Sequence, residues 1–234
     1  MTRRRVLPAA GDFPATSGPA DSAAGRAVTA SAPGRLPKAE LGKVGAVLSP
    51  GSGTAFLDTA IELEELGYQT IWLPGGSLKS LSQITDVVRA TKRARVATGI
   101  ISVDRFTAAE VSALYTSLQE TYPGRFVVGL GGAHGPDPLA TLNAFLDHLD
   151  QVPPSARIMA ALGPKMLDLA RDRATGAFPF LVTPGYTATA RSRIGGSTTL
   201  AVGQPLVIET DPQRARPIAR RPLHPVWGRR MTLS

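Results

Sequence analysis

The chain has 234 residues, which is enough for one large domain or two small ones. Its 26 lysines and arginines outnumber 18 acidic residues, and 43% of its residues are hydrophobic, so it can bury a sizeable core. The sequence has no cysteine, which excludes a disulfide scaffold, a thiolate zinc site and a cysteine nucleophile. No apolar run approaches the roughly 18 residues that a membrane-spanning helix needs.

The positive charge lies at the two ends of the chain. Residues 1–38 carry six basic and two acidic residues, and residues 213–234 carry six arginines and no acid, whereas 39–212 carry 14 basic and 16 acidic residues. Basic tails can bind nucleic acid through counterion release. However, no recognition helix, zinc finger or aromatic-studded basic sheet accompanies these tails, so we expect no nucleic-acid partner.

Residues 1–38 are rich in Ala, Pro, Gly, Ser and Thr and show no hydrophobic periodicity, which predicts a disordered extension. The segment is rich in arginine, as transit peptides are, but it lacks an amphipathic stripe and the apolar region of a secretory signal. A start site assigned too far upstream would look the same. We expect a cytoplasmic protein without membrane association.

From Lys43 onward, short apolar runs alternate with helical patterns. The predicted strands are 44–48, 70–73, 95–101, 125–130, 157–160, 178–182 and 206–209. The predicted helices are 54–67, 80–92, 107–120, 138–149, 164–173 and 186–194, with a last helix from Asp211. The strands are continuously apolar, as in a parallel sheet buried on both faces. This alternation predicts an open doubly wound sheet or a (β/α)8 barrel, and in both the chemistry lies at the carboxyl ends of the strands.

The loop after the fourth strand contains Gly129-Leu-Gly-Gly-Ala-His134. A dinucleotide fingerprint would need glycine at position 134 and an acid ending a strand about 20 residues later, and neither is present. A standard NAD site is therefore not expected. The glycines more simply allow a flat ligand to approach the backbone.

The loop after the fifth strand, Ala160-Ala-Leu-Gly-Pro-Lys165, leads directly into a helix. The unpaired amides and the positive dipole of a helix N-terminus suit a phosphate, and Lys165 adds a cation. An ordinary turn between a strand and a helix is the alternative. Gly99 is unusual within the third strand, where glycine often marks a bulge or a close ligand approach.

Together, these loops resemble the luciferase-like monooxygenase superfamily, and most closely its actinobacterial coenzyme F420-dependent oxidoreductases. The resemblance covers about residues 40–212, and the order and spacing of four segments carry it: 97–102, 123–131, 161–176 and 178–184. The resemblance implies a TIM barrel that binds a flavin or deazaflavin. It also implies hydride transfer between coenzyme F420 and a small organic substrate.

The resemblance implies specific roles for several residues. A non-proline cis peptide at Gly99–Ile100 would back the deazaflavin ring, and Gly129 and Gly131 would line the same cofactor. The backbone amides of Ala161, Leu162, Gly163 and Pro164 would hold its phosphate, with Lys165 beside them. FMN is the alternative cofactor, because it also carries a phosphate that this loop could hold.

Among three histidines, only His134 follows a strand at the expected rim, so it is the candidate proton-exchanging residue. A solvated loop histidine is the alternative. Ser49 and Trp72 end the first two strands and could contact ring or substrate, whereas simple core packing is the other interpretation of Trp72. No histidine pair or carboxylate cluster has the spacing of a metal site.

The alternating pattern stops near Arg216, and residues 213–234 read as a basic, irregular tail whose prolines interrupt both helix and strand. We therefore expect an incomplete barrel of about seven strands that lacks the eighth βα unit, as after a truncation or a frameshift. Its open edges would favour a homodimer. A non-catalytic cofactor-binding or inactive homologue and an FMN-dependent two-component monooxygenase remain alternative functions.

Overall fold

The computed structural model describes residues 40–51 and 53–220. The extension 1–38 that was predicted to be disordered and residues 221–234 of the basic tail lie outside these residues. The strands are β1 (Gly45–Val47), β2 (Thr70–Leu73), β3 (Arg95–Thr98), β4 (Ile101–Ser102), β5 (Phe126–Gly131), β6 (Arg157–Met159), β7 (Gly176–Ala177) and β8 (Thr199–Leu200). The helices are α1 (Ala55–Glu65), α2 (Ser82–Ala90), α3 (Ala108–Thr121), α4 (Pro138–Asp147), α5 (Pro164–Arg173) and α6 (Pro184–Ile194), with a 3₁₀ turn at Pro154–Ala156. Residues 212–220 form the helix predicted from Asp211, so the irregular basic tail expected over residues 213–234 does not begin at residue 213.

All strand pairs are parallel, in the order β1-β2-β3-β5-β6-β7-β8, and β4 continues β3 by pairing with β5. The sheet therefore has seven strand positions and curls into a half-barrel, which is the fold of an incomplete TIM barrel. The predicted fold class is confirmed, and an open two-sided sheet is excluded. Within the described residues, β1 and β8 pair with one neighbour each, and they face each other across a cleft of about 260 Å³ lined by residues 41–47 and 199–204.

Side chains alternate between the two faces of the sheet. The face toward the helices carries the larger core, to which Ile71, Val96 and Val128 belong. The inner face carries a smaller cluster made of Leu41, Trp72, Ala97, Val127 and Ile158. The predicted Thr107–Glu110 capping box is present at the start of α3, where both reciprocal hydrogen bonds form.

Two strand predictions were wrong in position. The sixth strand is Gly176–Ala177 rather than 178–182, because Pro179 has no amide hydrogen for the ladder and the pairing beyond it is reduced to an isolated bridge between Phe180 and Gly203. The seventh is Thr199–Leu200 rather than 206–209. The apolar run 206–209 follows Pro205 and pairs with no strand, and its Leu206 and Ile208 are 84% and 96% exposed.

Candidate active site

A cavity of about 530 Å³ lies at the carboxyl ends of the strands. No lining residue carries a charge, and most are apolar: Val47, Trp72, Pro74, Gly99, Ile100, Ala160, Ala161, Leu162, Gly163, Met166, Phe178 and Phe180. The cavity is thus formed by the loops after β1, β2, β3, β6 and β7, which parallel strands bring to one rim. An apolar cavity of this size at this rim is suited to a flat organic ring.

Two stacked aromatic rings form one wall of this cavity. Trp72 at the end of β2 and Phe178 after β7 have ring centroids 4.7 Å apart and planes inclined by 24°. A Cβ atom on Gly99 would lie 3.0 Å from Phe178 Cζ, so the glycine lets the aromatic pair pack directly on the backbone. Trp72 therefore borders the cavity and also packs in the inner core cluster. Its position fits both the predicted contact with a ring or substrate and the alternative of core packing.

The backbone after β3 forms the cavity floor. The Gly99–Ile100 peptide is cis, as the family resemblance implies. The Thr98 hydroxyl donates to the Gly129 carbonyl at 3.0 Å and accepts from the Gly129 amide at 2.8 Å, which ties the interrupted strand to β5. These bonds hold the floor rigidly where regular ladder pairing is broken.

The two glycines of β5 lie behind this floor and are not among the lining residues. A Cβ on Gly129 would approach the Thr98 carbonyl oxygen to 1.8 Å, so this glycine is needed for strand packing. A Cβ on Gly131 would lie 2.8 Å from Ala160 Cβ and 3.2 Å from Ile100 Cγ1. Gly131 thus supports two residues that do line the cavity.

The loop between β6 and α5 brings Ala161, Leu162 and Gly163 to the cavity wall. Pro164 and Lys165 form the exposed first turn of α5 and lie outside the lining. Pro164 has no amide hydrogen, so it cannot donate to a phosphate as the family resemblance implied. Gly163 is the N-cap and supplies no side-chain cap. Within residues 40–51 and 53–220, the backbone amides of Leu162, Gly163 and Lys165 donate no hydrogen bond. These free donors at a helix N-terminus have the chemistry that an anionic group requires.

His134 lies at the same rim but outside the cavity lining. Its Nδ1 atom is 2.7 Å from Asp104 Oδ2, and its backbone amide donates to the same oxygen at 3.1 Å. The histidine side chain is 82% exposed and that of Asp104 is 38% exposed. Sequence reasoning missed Asp104, although its place just after β4 put it on the rim where strand ends converge.

Ser49 follows β1 as predicted, but it is exposed and does not line the cavity. Sequence reasoning also missed Met166, Phe178 and Phe180 as lining residues. The sequence pattern gave little indication of their role, because Phe178 and Phe180 lay within a predicted strand.

Across the described part of the chain, no three His, Asp or Glu side chains are grouped as a metal site would need. No helix there is long and apolar enough to cross a bilayer.

An apolar cavity and a set of free amides therefore lie together at the carboxyl rim of a half-barrel. The described residues fit a ring cofactor with a phosphate: the cavity accepts the ring, and the amides of Leu162, Gly163 and Lys165 suit the anion. The cavity lining offers no charged side chain to the ring. Apolar contacts to the ring and backbone donors to the phosphate would therefore determine cofactor binding.

Comparison with known proteins agrees with this architecture. Residues 41–152 match the family model of the luciferase-like monooxygenases. No curated protein matches the chain. An F420-dependent secondary alcohol dehydrogenase, solved with an F420–acetone adduct, superposes with a TM-score of 0.57 at 16% identity and covers 68% of each chain.

Two further solved structures share the fold. The coenzyme F420 dependent tetrahydromethanopterin reductase from Methanopyrus kandleri has a TM-score of 0.59 at 15% identity, over 77% of this chain and 69% of that one. The oxygenating constituent of 3,6-diketocamphane monooxygenase from Pseudomonas putida was solved with FMN. It has a TM-score of 0.58 at 11% identity, over 83% of this chain and 76% of that one. At these identities the structural likeness establishes the fold alone. Over residues 41–152, just under half of its length, the chain is similar to the luciferase-like monooxygenase family.

Proposed function

We propose that the protein is an oxidoreductase that transfers a hydride between coenzyme F420 and a small organic substrate. The observation that carries this proposal is the uncharged cavity at the strand ends, bordered by the free amides of the loop before α5. The F420-dependent dehydrogenase and reductase among the structural neighbours support the choice of coenzyme.

The bound deazaflavin would supply the hydride chemistry. The chain's own residues would position it: Trp72 and Phe178 against one side of the ring, and Ile100 at the floor. Leu162 and Gly163 would offer amides to the phosphate, with Lys165 as a nearby cation. Exclusion of water by the apolar wall would strengthen each of these electrostatic contacts.

His134 is the proposed proton-exchanging residue, oriented by Asp104. If the imidazole donates its Nδ1 proton to Asp104, the Nε2 atom is left as an acceptor for a substrate proton. The high exposure of His134 supports a proton exchange at the outer rim rather than at the cavity floor.

An FMN-dependent monooxygenase is the second candidate, and the FMN complex of the oxygenating constituent of 3,6-diketocamphane monooxygenase favours it. Purified protein should be titrated with F420 and with FMN, and hydride transfer from reduced F420 should then be assayed. Tighter F420 binding with turnover supports the proposal, whereas a preference for FMN supports the second candidate. Binding without turnover indicates a non-catalytic homologue, and absence of binding to both overturns all three.

A variant pair makes this titration site-specific. Leu162→Glu places a carboxylate beside the proposed phosphate position, on a side chain that is 40% exposed. We expect like-charge repulsion to weaken F420 binding about 10-fold or more, since one tenfold change requires about 1.4 kcal/mol. Leu66→Glu, at a 69% exposed position after α1, is the matched control and should bind as the wild type does.

We also propose that the chain forms a homodimer in which a second copy covers the open edge at β1. Val44 and Val47 on this edge are 64% and 61% exposed. A strand edge that has no partner and carries apolar side chains is a template for further pairing.

A further inference from the structure

The hydroxyl of Tyr186 contacts the loop that carries the free amides. It donates to the Leu162 carbonyl at 2.7 Å and lies 3.3 Å from the Ala161 carbonyl oxygen. Tyr186 is in the first turn of α6, where its own amide donates to Thr183 Oγ1 at 3.2 Å. The tyrosine therefore connects a capped helix end to the loop before α5.

The direction of these bonds determines where the amides point. In a planar trans peptide, the C=O and the N–H point to opposite sides of the chain. The Ala161 carbonyl shares its peptide with the Leu162 amide, and the Leu162 carbonyl shares its peptide with the Gly163 amide. Because both carbonyls face Tyr186, both amides face away from α6. Tyr186 itself does not line the cavity, whereas Ala161, Leu162 and Gly163 do.

A second contact from α6 holds the next residue of the loop. Arg193 Nε donates to the Pro164 carbonyl at 3.0 Å, and the same guanidinium forms an ion pair with Asp168 at 2.5 Å. Asp168 also pairs with Arg171 at 3.0 Å. The Arg193 charge is thus already opposed by a carboxylate, so α6 contributes to this loop by orientation rather than by a free cation.

We propose that Tyr186 is a positioning residue: its hydroxyl orients the Leu162 and Gly163 amides so that they converge on the phosphate of a bound ring cofactor. This inference rests on the proposed function, because it assumes that such a cofactor enters the cavity. It assigns a role to a side chain that does not touch the cofactor. Loss of the hydroxyl would let the two peptides rotate and would weaken recognition of the phosphate while leaving ring binding unchanged.

The test compares ligands with and without the phosphate, and the FMN and riboflavin pair differs by the phosphate alone. Affinities of wild type and Tyr186→Phe should be measured for FMN and riboflavin, and for F420 and its phosphate-free deazaflavin chromophore. We expect the wild type to prefer the phosphorylated member of a pair. In Tyr186→Phe this preference should fall by about 3- to 10-fold, the equivalent of one hydrogen bond, with little change for the phosphate-free member.

Tyr122→Phe is the matched control, because Tyr122 is half-buried against the core at the end of α3 and far along the chain from this loop. It should retain the wild-type preference. A second readout is independent of affinity: the amide nitrogen resonances of Leu162 and Gly163 should shift with the phosphorylated ligand in the wild type and less in Tyr186→Phe.

The outcomes separate the two proposals. An unchanged phosphate preference in Tyr186→Phe overturns the positioning role and leaves the proposed function standing. Equal weakening of both members of a pair also overturns it, because that result indicates a general structural role. Failure of the wild type to bind any of the four ligands overturns the proposed function and this inference with it.

Discussion

Trp72 stacks on Phe178, although the two residues lie more than a hundred positions apart and on opposite sides of the cleft between β1 and β8. Both rings line the cavity at the strand ends and also the cleft between β1 and β8. The aromatic pair is therefore the wall that separates the candidate cofactor cavity from the open side of the half-barrel.

Cofactor binding should quench the fluorescence of Trp72. The chain has two tryptophans, so Trp227→Phe leaves Trp72 as the only tryptophan. A ring stacked near the indole accepts its excitation energy, and the emission should decrease in proportion to occupancy. Titration of this variant with F420 measures the effect, and Trp72→Phe should remove the signal. Unchanged emission at saturation would place the ligand elsewhere.

Gly131→Ala should destabilise the protein and disturb the cavity floor. The new Cβ would lie 2.8 Å from Ala160 Cβ. Overpacking of this kind costs about 1–3 kcal/mol of the free energy of unfolding, which urea denaturation measures. Gly76→Ala is the control, since its Cβ would meet no atom within 4 Å. Equal stability of the two variants would contradict the packing shown around Ile100.

His134→Ala should lower the hydride-transfer rate by about 10²- to 10⁴-fold if the histidine exchanges a proton in the transition state. Asp104→Asn should lower it less, because an asparagine oxygen can still accept from the imidazole. The measurement is kcat across a pH series with the substrate saturating. His148→Gln, at the exposed end of α4, should leave the rate unchanged. A wild-type rate in His134→Ala would return His134 to the role of a solvated loop residue.

Glu64 should make stability depend on pH. Its carboxylate, 8% exposed, accepts hydrogen bonds from the amides of Lys92, Arg93 and Ala94 at 2.5–3.1 Å. Burial by itself raises the pKa of this carboxyl, but the three amides and the charge of Arg125 together outweigh burial and lower the pKa below its usual range. A lowered folded-state pKa means that the stabilisation is present above the unfolded-state pKa and is lost as the pH falls through the folded-state value.

Glu64→Gln should therefore lower the free energy of unfolding by about 1–3 kcal/mol at neutral pH, because its amide group cannot accept all of these bonds. The difference from wild type should shrink as the solution is acidified. Denaturant unfolding at several pH values measures it. The exposed Glu62→Gln on the same helix is the control and should show no such difference. A pH-independent difference would rule out the titration of Glu64 as its cause.

The open edge of β1 should support self-association. Light scattering after size exclusion should give twice the mass of the chain for the wild type, and Val44→Lys should give a monomer, because a charged edge strand resists pairing. Leu66→Lys, at an equally exposed position on the helical side, should remain dimeric. A cooperative wild-type monomer at micromolar concentration would contradict the dimer.

Apolar periodicity and capping residues in the sequence predicted most helices and strands, because these features reflect interactions between residues close together in the chain. The strand 70–73, the helix 164–173 and the Thr107–Glu110 box were predicted at or near their positions in the structure. Apolar periodicity and capping act within a few residues of the chain. The misplaced strands lie where that information was ambiguous: 199–203 and 206–209 are both short and apolar, and only pairing with Gly176–Ala177 favours the first.

The sequence by itself determined the alternation of strands and helices, the place of the loops at one rim, and hence the neighbourhood of the candidate site. The tertiary structure decided which of those residues meet: Phe178 on Trp72, Asp104 at His134, and Tyr186 at the Leu162 carbonyl. These contacts join residues between 24 and 106 positions apart. Their formation depends on sheet curvature and on the packing of whole helices, which no local spacing encodes.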